Sequence, residues 1–156
     1  MAMAGVLKSY YTNFGGVIAM GTVHAEITLK NLADEVRVKD GHLKEEDVRS
    51  ITVQAVVDTG AASLVINEEQ CQTLGLGIQE ERQARVADER WVFCKITEAV
   101  EIHWKNRRTT CPAMVIPRAE TVLLGAIPLE GMDLMVNPGK QELTGVHGDE
   151  IKFLVL

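Results

Sequence analysis

One carboxylate in the sequence stands where its residue type and its neighbours could do chemistry. Asp58 follows the apolar residues 55–57 directly and precedes Thr59 and Gly60. A carboxylate at the end of a buried strand is costly unless it is hydrogen-bonded or functional. Gly60 allows a tight turn that brings a backbone amide to the carboxylate, and Thr59 offers a hydroxyl that can bond to a neighbouring chain. This segment therefore predicts a functional carboxylate at Asp58.

The elements that would position Asp58 are mostly short strands. Residues 23–29 alternate apolar and polar side chains, and residues 51–57 form a second strand that is apolar on both faces near its end. Further strands are predicted on either side of turns at 87–90, 105–108 and 137–140, and residues 151–156 form a last, apolar strand. The pattern predicts an all-β fold, a closed barrel-like sheet with one or two short helices.

Two short helices have recognisable signals. Asn67 can cap a helix in which Gln70 occupies the capping-box position and Gly75 provides the stop. Residues 122–125 lead into a second helical turn with Pro128 near its start. By contrast, residues 33–48 are strongly charged around a central glycine and are predicted to be an exposed hairpin or loop.

Composition limits the partners and the compartment. The chain has 156 residues and a formal net charge of -6, which argues against a nucleic-acid partner, and the basic residues 105–108 are interpreted as a polar hairpin turn. The sequence contains no run of about 18 apolar residues, so it predicts no membrane span. The first 20 residues do not resemble a secretion signal. Three cysteines at positions 71, 94 and 111 fit small buried hydrophobes in a reduced protein, so we expect a cytoplasmic location.

The domain organisation is simple. Residues 1–19 are interpreted as a leader that is disordered or was added to the natural chain, with Met20 as the true start. Residues 20–156 show no tandem repeat and no linker, and are expected to form one domain.

Two segments together resemble a known family. Residues 56–61 and 64–66 match a pattern of two apolar residues, Asp-Thr/Ser-Gly-Ala/Ser and a further apolar strand. About 65 residues after Asp58, residues 122–125 supply an apolar strand that ends in glycine, and residues 126–130 suit a short helix. Over about residues 22–145 the chain resembles the retropepsin-like aspartic peptidases, the family of the retroviral proteases and their cellular and bacterial relatives.

The resemblance implies a fold, a reaction and a role for each matching residue. It implies a retropepsin (acid protease) barrel that hydrolyses peptide bonds, without a metal or cofactor, through a water activated by two aspartates. Asp58 would be the catalytic residue. The active-site loop would be supported by Thr59, Gly60, Ala61, Leu123, Leu124 and Gly125. A flap hairpin over the substrate would contain Val86, Ala87, Asp88, Glu89 and Trp91, although a glycine is expected at the turn where Glu89 stands.

The second carboxylate must come from another chain. Only one Asp-Thr-Gly is present, and residues 123–125 contain no aspartate, so a working site requires a two-fold homodimer with an Asp58/Asp58′ dyad. The tail 151–156 or the first strand is expected to join an intersubunit sheet, since an apolar tail would otherwise be an aggregation-prone edge. Ala61 replaces a serine found in many relatives, which removes one hydroxyl donor and predicts an activity optimum at mildly acidic to neutral pH.

Less specific interpretations stay open. The domain could be a catalytically inactive dimerisation or peptide-binding module, and Asp58 could be a simple turn residue. Asp88 and Asp133 are interpreted as turn or helix-end residues. The four histidines lack metal-ligand spacing and are interpreted as surface or strand residues at positions 24, 42, 103 and 147. Leu64, Ile66, Val86 and Trp91 are the candidate walls of substrate subsites.

Overall fold

The computed structural model describes residues 22–86 and 88–148. Nine strands and three α-helices lie in this part of the chain. The strands are β1 His24–Asn31, β2 Ser50–Val57, β3 Leu64–Ile66, β4 Ile78–Arg85, β5 Trp91–Trp104, β6 Arg107–Val115, β7 Val122–Leu124, β8 Leu134–Asn137 and β9 Glu142–Gly145. The helices are α1 Leu32–Lys39, α2 Glu68–Leu74 and α3 Ala126–Gly131, with a 3-10 turn at Glu45–Asp47.

Six strands close into a barrel. Their order is β1-β2-β7-β3-β6-β5, and β5 returns to β1 through pairs such as Leu29 with Ile102. Strand β4 extends from β5 as a hairpin, and β8 and β9 form a separate two-stranded sheet. The predicted all-β closed barrel is therefore confirmed.

The barrel interior is filled by the inward-facing residues of every barrel strand. Because side chains alternate across a strand, each strand contributes every second residue to this core. The fully buried side chains include Ile27, Leu29, Leu64, Ile66, Val100, Ile102, Val115 and Leu124. Helix α2 closes one side through Cys71 and Leu74, and the β8–β9 hairpin adds Leu134 and Leu143.

The helix predicted after Asn67 has the capping expected from its sequence. The Asn67 side chain accepts a hydrogen bond from the Gln70 amide, and the Gln70 side chain accepts one from the Asn67 amide, each at 2.9 Å. Gly75 ends the helix in the left-handed conformation, at φ 62°. The prediction for α2 is confirmed in both its caps.

The expectation of an exposed loop at 33–48 was wrong for its first half, which is α1. Asn31 caps α1 by accepting the Asp34 amide, and its side-chain amide donates to the Leu74 carbonyl at 2.8 Å. Asp34 is buried because the Arg49 guanidinium donates to both of its carboxylate oxygens, at 2.8 and 2.9 Å. The charge of Asp34 had indicated exposure. Asp34 instead forms an ion pair with Arg49, the residue directly before β2.

Strand β1 is an interior barrel strand. It pairs with β2 along residues 24–30 and with β5 over residues 28–31, so its register positions 28–30 have neighbours on both sides. The expectation that the tail or the first strand joins an intersubunit sheet stays a prediction, but residues 28–30 cannot provide such an edge because both of their sides are already paired. The leader 1–19, Met20 and the tail 151–156 lie outside the described residues. Within the described ranges, no helix is both long and apolar enough to cross a membrane.

Candidate active site

The Asp58 loop is held by hydrogen bonds between its own backbone and a distant strand. Strand β2 delivers Asp58 to the end of the barrel, where its amide donates to the Leu124 carbonyl at 3.0 Å. The Gly60 amide donates to Asp58 Oδ1 at 2.9 Å, and the Ala61 amide donates to the Asp58 carbonyl at 3.1 Å. Asp58 is half-buried and Thr59 and Gly60 are exposed. The carboxylate is thus fixed in place and still open to solvent.

Strand β7 and the turn after it form the floor beneath this loop. Strand β7 pairs in parallel with β2, through Val57 and Leu124, and antiparallel with β3, through Leu64 and Leu124. A side-chain carbon on Gly125 would lie 2.6 Å from the Ala61 carbonyl oxygen and 2.8 Å from the Ser63 amide nitrogen. Only glycine therefore fits at this position, because the obstacle is the backbone of the Asp58 loop itself.

Helix α3 begins directly under the loop and bonds to it. The Ala126 amide donates to the Ala61 carbonyl and the Ile127 amide donates to the Ala62 carbonyl, both at 2.9 Å. Thus Leu124, Gly125 and the first turn of α3 contact the Asp58 loop. Leu123 lies on the other face of β7, in a second apolar cluster.

The second cluster covers the outer face of the sheet beside the Asp58 loop. Its members are Val56, Ala61, Val65, Cys94, Ile116, Ala119 and Leu123, with Ala84, Ile96 and Met114 packed against them. Val56, Leu123, Val65 and Met114 are successive register partners across four strands, so they form one row. Since Ala61 belongs to this cluster, the row borders the side of the barrel that carries Asp58.

The predicted subsite walls at Leu64 and Ile66 were wrong. Both side chains are fully buried in the barrel core, and Val65 between them faces the second cluster. The error is one of phase, because a shift of one residue along a strand exchanges its two faces.

The residues predicted to form a flap lie in the β4–β5 hairpin. Its inner side chains Ala84 and Cys94 pack in the second cluster, so the hairpin and the Asp58 loop border the same face of the barrel. The Val86 amide donates to the Arg90 carbonyl, and the Glu89 amide donates to the Val86 carbonyl, both at 2.9 Å. Glu89 has φ 66°, the left-handed conformation that favours the glycine expected there. Ala87 lies outside the described residues.

Trp91 lies on the other face of this hairpin. It pairs with Arg85 across the strands, and the next residue on its face, Phe93, pairs with Gln83. Both aromatic rings are largely exposed, Trp91 at 65% and Phe93 at 72%. Of the hairpin residues, Val86 is half-buried, whereas Asp88, Glu89 and Trp91 are exposed.

The basic residues 105–108 are not uniformly a polar turn, as had been expected. Lys105 and Asn106 form the exposed turn, but Arg107 begins β6 and is only 2% exposed. Its guanidinium donates hydrogen bonds to three backbone carbonyls and one carboxylate, and these bonds compensate for the burial of the charge. Composition alone marked this arginine as solvated, because its partners lie 25 or more residues further along the chain.

The remaining ionisable groups have structural partners. At Asp133, burial acts to raise the pKa, but hydrogen bonds from His147 and then Arg107 outweigh it, and the pKa is lowered. At Asp88, burial also opposes the shift, and the Arg90 side chain lowers the pKa. Both aspartates lie in turns, as predicted. Burial raises the pKa of each cysteine thiol, which fits three buried, unreactive side chains.

Among the described residues, no group of three or more His, Cys, Asp and Glu side chains could hold a metal ion.

A family model described as "gag-polyprotein putative aspartyl protease" matches residues 45–131, which is more than half of the chain. The chain belongs to this aspartyl protease family. No curated protein matches the chain.

Membership in the aspartyl protease family agrees with the retropepsin-like resemblance of the sequence. The matched residues include the Asp58 loop, the β4–β5 hairpin and α3. The match therefore covers the Asp58 loop and the two elements described around it.

Proposed function

We propose that the protein is a homodimeric aspartic endopeptidase in which Asp58 and the partner's Asp58 share one proton. The observation that carries the proposal is the setting of Asp58. Its backbone is fixed to β7, one oxygen accepts the Gly60 amide, and the carboxylate stays half-exposed.

The proposed reaction needs only the two carboxylates and a water molecule. Two carboxylates about 3 Å apart cannot both ionise easily, so one acts as base and the other as acid. The ionised Asp58 takes a proton from the water, which attacks the peptide carbonyl carbon. The protonated Asp58 donates to the carbonyl oxygen, and a proton then passes to the leaving amine. The Gly60 amide stabilises the ionised carboxylate through the hydrogen bond at Oδ1.

The substrate would lie between the Asp58 loop and the β4–β5 hairpin. Both elements border the second cluster, so the walls nearest Asp58 are apolar. We therefore expect cleavage between apolar residues. In a two-fold dimer the same residues would flank the cut bond on both sides.

The test is cleavage of a peptide library by the wild-type chain and by Asp58→Asn, between about pH 3.5 and 7.5. Asparagine keeps the size of the side chain and removes its acid–base chemistry, so cleavage should fall at least about a thousandfold. Sizing chromatography must show the same dimer for both proteins.

A second candidate function keeps the fold without the reaction. The turn of the β4–β5 hairpin carries Glu89 where a glycine is expected, and a hairpin that does not open and close over a substrate favours an inactive dimerisation or peptide-binding module as the alternative. A wild-type dimer that cuts no peptide at any pH, yet binds library peptides, would favour this alternative and reject the peptidase.

A further inference from the structure

Arg107 is the most completely buried cation in the described part of the chain. Its Nη1 donates to the Met132 carbonyl at 2.8 Å and to the Asp133 carbonyl at 2.9 Å, and it lies 3.4 Å from Asp133 Oδ2. Its Nη2 donates to the Gly148 carbonyl. A side-chain carbon on Gly145 would collide with this guanidinium, so the backbone of β9 is shaped around it.

These contacts hold the C-terminal end of α3. The last carbonyl groups of a helix have no partner within the helix, and a six-residue helix cannot persist without outside contacts. Arg107 binds the carbonyls of the two residues that follow α3. Gly131, the last residue of α3, lies so close to Thr109 that a side-chain carbon would collide with its hydroxyl. Strand β6 thus fixes the end of α3 at two places.

The other end of α3 holds the catalytic loop. The Ala126 and Ile127 amides donate to the Ala61 and Ala62 carbonyls, three and four residues after Asp58. A short helix fixed at both ends transmits a displacement of one end to the other, because its backbone has no slack over six residues. Arg107 and Asp58 are therefore connected through α3.

We propose that Arg107 is a positioning residue for Asp58. This inference rests on the proposed peptidase function. The pair of carboxylates works only at a fixed separation, and α3 sets the height and tilt of the loop that carries each of them. Arg107 fixes α3, so it fixes the distance between the two carboxylates without touching substrate.

The test compares Arg107→Met with Arg107→Lys and with a control, Arg108→Met. Arg108 is the next residue on β6, is 73% exposed and lies 3.8 Å from Glu101. Arg107→Met keeps the length of the side chain and loses every donor. Arg107→Lys keeps the charge but loses the planar fork that reaches several carbonyls at once.

Arg107→Met should lower kcat at least about tenfold, since small misplacement of catalytic groups has effects of this size or larger. KM should change less than about threefold, because the substrate-binding walls are untouched. Arg107→Lys should be intermediate, and Arg108→Met should match the wild type. Rates are compared at concentrations where sizing shows dimers for every variant.

The pH profile separates positioning from simple loss of folded protein. Carboxylates that move apart interact less, so the acid and alkaline limbs of the bell should lie closer together in Arg107→Met. A smaller folded fraction would lower the bell without narrowing it. Unchanged kcat and an unchanged profile width, in a wild type that cleaves, would overturn the proposal.

Amide hydrogen exchange reports on α3 without any activity. The Ala126 and Ile127 amides should exchange faster in Arg107→Met than in Arg108→Met, after correction for global stability. If the wild type cleaves no peptide, the proposed peptidase fails, and the exchange comparison alone tests whether Arg107 positions the Asp58 loop through α3. Equal exchange in the two variants would reject that role of Arg107, and faster exchange in Arg107→Met would support it.

Discussion

The contact between Gly125 and the Asp58 loop predicts a large effect of the smallest possible substitution. In Gly125→Ala the added methyl carbon would lie 2.6 Å from the Ala61 carbonyl oxygen, and closer still to that of Ser63. Ordinary carbon–oxygen contacts are about 3.3 Å, so the loop must retreat by about 0.7 Å or more. Gly125 is not in a left-handed conformation, so the effect is purely steric.

The expected magnitudes follow from that displacement. Overpacking against backbone costs about 1–3 kcal/mol of unfolding free energy. A shift of the Asp58 loop approaching 1 Å should lower kcat about a hundredfold. Activity should therefore fall far more than the folded fraction, which a loss of 1–3 kcal/mol leaves close to complete in a domain of ordinary stability.

The assay pairs urea unfolding with peptide cleavage, and Gly139→Ala is the matched control. A side-chain carbon at Gly139 would meet only Asn137 Oδ1, at 3.5 Å, which is ordinary contact. The control should keep wild-type stability and kcat. If Gly125→Ala also keeps wild-type stability and kcat, the Asp58 loop is not held by its close approach to Gly125, and the steric argument is wrong.

Two further predictions concern stability. The Arg49 hydrogen bonds hold the pKa of Asp34 below its ordinary 3.8, so the ionised pair stabilises the fold above about pH 4 and this stabilisation is lost as the pH falls through the lower folded-state pKa. Asp34→Asn should cost about 1–3 kcal/mol in urea unfolding at pH 7 and progressively less as the pH is lowered below 3.8, and a loss that does not change with pH would contradict the ion pair. Glu89 has φ 66°, a left-handed conformation that glycine adopts without strain, so Glu89→Gly should leave the stability equal or higher. Glu89→Val should cost about 1–3 kcal/mol in the same assay, because a β-branched side chain is strained in this conformation. Equal stabilities of these two variants would show that the turn is not held left-handed.

Local signals were sufficient for α2. The capping box at Asn67 and Gln70 and the stop at Gly75 lie within one helix, and each was readable from residue type and spacing. The same holds for the turn at 137–140 and for the apolar strand β7, which Gly125 follows. They were not sufficient for α1, although its cap at Asn31 is equally local.

The errors came from pairings across long sequence distances. Asp34 looked exposed because its partner, Arg49, lies fifteen residues later, beyond the helix that the pair stabilises. Arg107 looked solvated because its acceptors are the carbonyls of Met132, Asp133 and Gly148. The inner and outer faces of β3 could not be assigned from three consecutive apolar residues, since alternation has no visible phase in such a run.

The parallel pairing of β2 with β7 has a consequence for the order of folding. Asp58 and Leu124 are 66 positions apart, and the loop between them includes α2, the β4–β5 hairpin and β6. Such long-range closure is slow, and local hairpins form before it. On the ribosome, the Asp58 amide has no acceptor until Leu124 has emerged. The part of the molecule that would cut other chains is therefore among the last to take shape, after the hairpins that surround it.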